Sequence, residues 1–175
     1  LRGKRRRKRG NAFWTHWLPL LVWLGVIFYM SSQPYETQDL KPWLKRNVPT
    51  YALEKHLSGV QFTYAGREIS VDSAGATEVI EFFMRKAAHL FEYMVLGLFL
   101  FRLLARLAAV PVALQISLAL TLSCSYAALD EYHQSFTVNR TPLAADVILD
   151  TCGAGLGIMT FYLLRHRTRK GGDTA

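Results

Sequence analysis

The sequence predicts an all-α, polytopic membrane protein: four transmembrane helices, both termini cytoplasmic, and a polar pocket facing outward. Three observations predict it. The chain is 51% hydrophobic with a mean hydropathy of +0.12, although it carries 21 basic and 13 acidic residues. Its charges are gathered between long apolar stretches, as in an integral membrane protein rather than a soluble globule. Its basic residues also divide unevenly once the stretches are threaded through a bilayer.

At 175 residues the length fits one domain. Residues 1–12 form a basic tail, with seven of the 21 basic residues in LRGKRRRKRG. A net charge of +8 would suit nucleic acid, but a basic tail pressed against an apolar segment fixes topology and touches anionic lipid instead. No nucleic-acid partner is expected. The first apolar stretch, Phe13 to Met30, is longer than a usual signal-peptide core, is Trp-rich and lacks a small-x-small cleavage site, so it reads as a retained helix. Trp14, Trp17, Trp23 and Tyr29 supply interface anchors, and Pro34 stops the helix after Ser31, Ser32 and Gln33.

An extracytoplasmic loop follows over 32–78. Within it, residues 39–46 suit the membrane surface, and residues 60–71 alternate around Ala65-Gly66 as a β-hairpin does. The second helix, Val79 to Leu104, is 26 residues long, enough to span with some tilt. Its first half nevertheless carries Lys86, His89, Glu92 and Tyr93 at three- and four-residue steps, on one face. Such groups are costly in hydrocarbon unless paired or facing a wet cavity. The third helix runs from about Val110 to Leu129 and ends at Asp130-Glu131-Tyr132-His133-Gln134. Pro142 opens the fourth, Leu143 to Leu164, where its missing N–H costs nothing. Gly153, Gly155 and Gly157 permit close helix contact there. A second basic tail, 166–175, closes the chain. Cys124 and Cys152 lie in apolar segments with no metal-like spacing, and read as small buried side chains.

With both ends inside, thirteen basic residues fall on the cytoplasmic side: seven in the N-tail, two in the 102–106 link and four from Arg165 onward. Six fall outside (Lys41, Lys45, Arg46, Lys55, Arg67 and Arg140), with seven acids between Glu36 and Glu81. This threading collects the polar residues of all four helices into one outer layer. Ser31, Ser32 and Gln33, Lys86 to Tyr93, Asp130 to Gln134, and Asp146 and Asp150 lie at similar depth. Transporters and channels carry polar groups through the full thickness or at the midplane; one outward layer suits reception of a headgroup phosphate or sugar.

The residues resemble those of the VanZ-like family of small membrane proteins. The matching pieces are Phe28-Tyr-Met-Ser-Ser-Gln-Pro34, Lys86-Ala-Ala-His89-Leu-Phe-Glu92-Tyr93 with Leu96-Gly97, Asp130-Glu131-Tyr132-His133-Gln134-Ser135-Phe136, Arg140, and Asp146-Val-Ile-Leu-Asp150 through Gly157. The likeness covers roughly 13–165. Val138-Asn139 stands where the family often has Pro-Gly, and Asp150 where asparagine is common. The resemblance implies a multi-pass protein of the cell membrane with a role in cell-envelope processes and in susceptibility to the glycopeptide teicoplanin. It assigns no reaction.

Three readings of the polar layer follow. In the first, an enzyme acts on a lipid headgroup or lipid-linked wall precursor at the outer leaflet. His89, Glu92, Asp130 and Glu131 supply acid–base or nucleophilic chemistry there. Lys86, Tyr93, Gln134, Arg140, Ser32 and Gln33 bind substrate. Asp146 and Asp150, one turn apart, form a divalent-cation pair, hard cations preferring oxygen. In the second, the same groups bind a lipid or antibiotic without turnover and modulate wall processes. In the third, Lys86–Glu92 and Arg140 with an aspartate are ion pairs holding the bundle. The sequence leaves the oligomeric state open.

Overall fold

A computed structural model describes residues 13–107, 110–138 and 140–172; the basic tail 1–12, Asn139 and residues 173–175 lie outside the described residues. A π-helical turn, Phe13–Trp17, runs directly into α1, Leu18–Ser31; Trp17 is itself helical, so Pro19, which lacks an N–H to donate, lies inside a continuous helical stretch just after the wider π turn. A short 3-10 turn (Tyr35–Thr37) precedes α2 (Lys41–Asn47) and α3 (Thr50–Leu57). Strands β1 (Gln61–Tyr64) and β2 (Arg67–Ser70) pair antiparallel with Tyr64 opposite Arg67. Their turn places Ala65 at φ 48° and Gly66 at φ 79°, the left-handed pair that a two-residue hairpin requires. A single helical turn, α4 (Val71–Ala74), is capped by the Ser70 hydroxyl, which accepts from the Asp72 amide. The long helices α5 (Ala76–Leu107), α6 (Val112–Gln134) and α7 (Ala144–Gly172) complete the chain.

Among the described residues three helices are long and apolar enough to cross a bilayer: Phe13–Ser31, Val112–Gln134 and Ala144–His166. Their outward faces are bands of exposed aliphatic side chains, among them Leu21, Val22 and Val26, Leu114, Leu118 and Leu122, and Leu156, Met159 and Leu163. Bands of this extent aggregate in water and are at rest against lipid tails. The chain is a multi-pass membrane protein. Cys124 and Cys152 sit on these outer surfaces, exposed and unbonded, rather than inside the bundle.

The fourth long helix, α5, packs against all three. Its core contribution is Tyr93, Leu96, Leu100, Phe101 and Leu103, gathered with Leu20, Ile27, Ala119, Ala127 and Ile158. The closest pair is α5 with α7, and small residues explain why. A Cβ on Gly97 would stand 2.7 Å from the Cα of Ala154, and one on Gly157 would stand 2.8 Å from the carbonyl carbon of Met94. Gly153 similarly meets the backbone of Leu90. Gly153 and Gly157, four residues apart, therefore let two helix backbones touch. Gly155 faces elsewhere, with only a Leu120 methyl at 3.8 Å.

At 32 residues α5 is about 48 Å long. Its first turns form the spine of a small cap built from residues 35–74. Val71, Ala76 and Val79 make a second core with Leu53, Leu57, Val60, Phe62 and Ile69. Phe62 rests on Phe82 and Phe83, at ring distances of 5.5 and 5.4 Å, so the two-stranded ribbon has the support it cannot supply itself.

Boundaries differ from the sequence expectation where polar residues turn inward. Helix α6 continues through Asp130, Glu131 and Gln134, all three buried, instead of ending before them. Helix α7 starts at Ala144, after Pro142, and runs to Gly172, so part of the expected C-terminal tail is helical. Trp23 faces the interior instead of an interface. Its indole donates to the Glu92 carbonyl at 2.8 Å, between Phe91 and Phe99.

Candidate functional site

A cavity of about 380 Å³ lies between the cap and the ends of α5, α6 and α7 nearest to it. The face of α5 contributes Glu81, Arg85, Lys86 and His89 at helical spacing. The hairpin adds Tyr64 and Arg67, the end of α6 adds Gln134, and the segment leading into α7 adds Arg140 and Asp146. A smaller chamber of about 60 Å³ adjoins it, lined by Ser31, Gln38, Arg85, His89, Glu92 and Arg140 among others. Arg85, His89 and Arg140 belong to both spaces and form the partition between them.

Lys86 meets Asp146 at 2.5 Å, and the Tyr64 hydroxyl donates to the same carboxylate oxygen at 2.5 Å. The ammonium also lies over the Tyr64 ring, 4.8 Å from its centroid. Burial first, and then the bond to Asp146, raises the Tyr64 phenol above its ordinary pKa. Lys86 is thus paired with Asp146, not with Glu92.

His89 is the second pairing. Its Nδ1 stands 3.7 Å from Oδ1 of Asp150, close enough for charge attraction and too far for a direct hydrogen bond. Asp150 is 1% exposed, and neither of its oxygens has a hydrogen-bond partner among the described residues. A buried carboxylate with no hydrogen-bond partner among the described residues is placed to orient the imidazole. Asp146 thus faces Lys86, and Asp150 faces His89. Among the described residues no group of three or more His, Cys, Asp or Glu is arranged to hold a metal ion.

Arg140 is held by uncharged groups. It donates to Gln134 Oε1 at 3.3 Å, to the Gln33 carbonyl at 3.4 Å, and to Gln38 Oε1. Among the described residues it forms no ion pair. Burial, followed by repulsion from Arg85, holds its guanidinium below the ordinary pKa.

The remaining expected site residues have other placements. Glu131 accepts from the Leu143 amide at 2.8 Å and so ties the 135–142 loop to the start of α7. Asp130 accepts from Gln134 at 3.2 Å. Glu92 reaches only the small chamber, and Tyr93 is fully buried beside Tyr126, away from the cavity. Ser32 bonds its own helix through Phe28, and Gln33 offers its backbone carbonyl.

Among the lining residues that escaped sequence reasoning are Tyr35, Gln38, Tyr64 and Arg85. Arg85 precedes Lys86 and shares its depth, a signal that was readable. The other three reach the site only through the folding of the cap, which no local pattern announces.

The VanZ/LLP1 family profile matches residues 16–165, which is most of the chain. The chain belongs to the VanZ/LLP1 family. No curated protein and no solved structure matches it.

Proposed function

We propose that this VanZ/LLP1 protein is an enzyme of the outer leaflet that acts on the phosphate-bearing headgroup of a membrane lipid or lipid-linked wall precursor. In this reading four helices span the bilayer, α5 included, and both termini are cytoplasmic. The observation that carries it is the His89–Asp150 pair at the floor of a cavity walled by Arg85, Lys86 and Arg140. With Nδ1 turned toward Asp150, Nε2 holds the free lone pair of the neutral ring. It takes the proton of a hydroxyl attacking phosphorus, and Asp150 steadies the imidazolium until the leaving oxygen takes that proton back. The arginines offset the negative charge on the phosphoryl oxygens. A change in headgroup composition at the outer leaflet would then underlie a role in teicoplanin susceptibility.

A second reading, binding without turnover, is favoured by the Lys86–Asp146 pair, which leaves one cation already neutralised. One comparison separates the two. Cells producing the protein, His89→Ala or Asp146→Asn at matched membrane levels are compared by mass spectrometry of lipids and lipid-linked wall precursors. Turnover predicts one species that rises or falls with the intact protein and not with His89→Ala. An unchanged profile, with a lipid that copurifies with the wild type and is lost from the variants, establishes binding instead.

A further inference from the structure

The partition between the two cavities contains more unneutralised positive charge than the headgroup reading itself uses. Lys86 is spoken for by Asp146 and the Tyr64 ring. Arg85 is not. Its nearest acid, Glu81, is 4.0 Å away and is shared with Lys41 at 3.9 Å and with the Tyr35 hydroxyl at 3.1 and 3.2 Å. The guanidinium is instead laid on the Tyr35 ring, 4.7 Å from its centroid, which fixes its plane without cancelling its charge. Arg140 is fixed in the same way by neutral partners, the amide oxygens of Gln134 and Gln38 and the Gln33 carbonyl. Two like charges lining one small space, one held by uncharged groups and the other paired only at long range with a shared carboxylate, repel each other until an anion lies between them.

We propose that Arg85 and Arg140 form a clamp for a doubly charged terminal phosphate, so that the lipid recognised is a phosphomonoester or diphosphate and not a phosphodiester. This rests on the headgroup reading above and narrows its substrate class. A phosphomonoester carries close to two negative charges near neutral pH and presents three oxygens, enough for a two-oxygen contact to each planar guanidinium. A diester carries one charge and two free oxygens, and leaves one arginine uncompensated. Glu92 lines the small chamber but not the large cavity, whereas both arginines line both. An anion entering from the large cavity therefore meets the arginines before Glu92. His89, in the same partition, sits beside the phosphate so held.

The test uses the full chain in detergent micelles and two probes with identical tails, dioctanoyl phosphatidate and dioctanoyl phosphatidylmethanol, with affinities read by calorimetry. Phosphatidate is expected to bind roughly tenfold more tightly, a preference that falls toward unity in Arg85→Gln and in Arg140→Gln. Lys45→Gln, at an exposed position of α2 that lines neither cavity, is expected to keep the ratio. Should a glutamine variant fail to fold, as judged by circular dichroism, Arg85→Lys keeps the charge, loses the planar fork and is expected to narrow the same ratio. Inorganic phosphate binding as tightly as phosphatidate supports the clamp and assigns its ligand to a free anion. Equal affinity of the wild type for both lipid probes, or a ratio that survives in both Arg85→Gln and Arg140→Gln or falls equally in Lys45→Gln, overturns the clamp and leaves the headgroup reading standing. Binding of neither probe overturns both.

Discussion

Gly157→Ala is expected to abolish accumulation of folded protein, whereas Gly155→Ala accumulates as the wild type does. The two substitutions are chemically identical and two residues apart. At position 157 the added methyl would stand 2.8 Å from the carbonyl carbon of Met94, and backbone within a packed helix cannot yield as a side chain does. The same face carries Gly153 against Leu90, with Gly97 opposite Ala154, so displacement at one point opens the seam along its length. Overpacking of this kind costs on the order of 3 kcal/mol, a large part of a domain's stability. At position 155 the methyl meets only a leucine methyl at 3.8 Å, ordinary contact. Membrane-fraction yield and size-exclusion profile of the two variants decide the matter, and equal yields would mean that the helices are not in backbone contact.

The second large effect concerns Asp150. Asp150→Asn is expected to lower the headgroup reaction by about two to four orders of magnitude while leaving the protein folded. Asparagine keeps the volume, but its neutral amide no longer favours the imidazolium that forms as His89 takes a proton. The double variant His89→Leu/Asp150→Leu sharpens the contrast with a purely structural pair. Replacing a buried ion pair by apolar side chains is often neutral or stabilising, whereas removing one partner costs about 3–5 kcal/mol. A structural pair therefore predicts an unstable Asp150→Asn and a stable, functional double variant. Catalysis predicts a stable double variant without activity. Thermal unfolding and the lipid readout, made on the same preparations, distinguish these outcomes.

Much of this arrangement was legible in the chain, for identifiable reasons. Helical periodicity placed Lys86 and His89 on one face, and apolar length marked α1, α6 and α7 as membrane segments, because both signals are local. Partner choice was not local. Lys86 has Glu92 near it on its own helix, yet meets Asp146 because α7 crosses α5 where the glycines allow it. Glu131 had the look of a catalytic acid, and the bond from the Leu143 amide gives it a loop-tying contact that depends on the course of residues 135–142. Gly155 read like its neighbours because spacing alone does not say which side of a helix another helix takes. The hairpin turn was marked by Gly66 and by alternation, but its contribution of Tyr64 to the site follows from the stacking of Phe62 and Tyr64 on Phe82.

The length of α5 has a consequence for where the proposed reaction would take place. No proline interrupts the helix between Ala76 and Leu107, so its residues keep fixed heights along one rod. His89 stands eighteen residues from Leu107, about 27 Å along the axis, close to the full ~30 Å of a bilayer's hydrocarbon. In the proposed topology Arg102 and Arg106 anchor the cytoplasmic end, and acyl-chain length then sets where the phosphates of the opposite leaflet lie relative to the imidazole. Short chains would bring the phosphates down to it. Long chains would lift them past it unless the rod straightens from its tilt. Under that reading the protein would act as a gauge of membrane thickness, turning over fastest in bilayers whose span matches the distance from His89 to the Leu107 end of its helix.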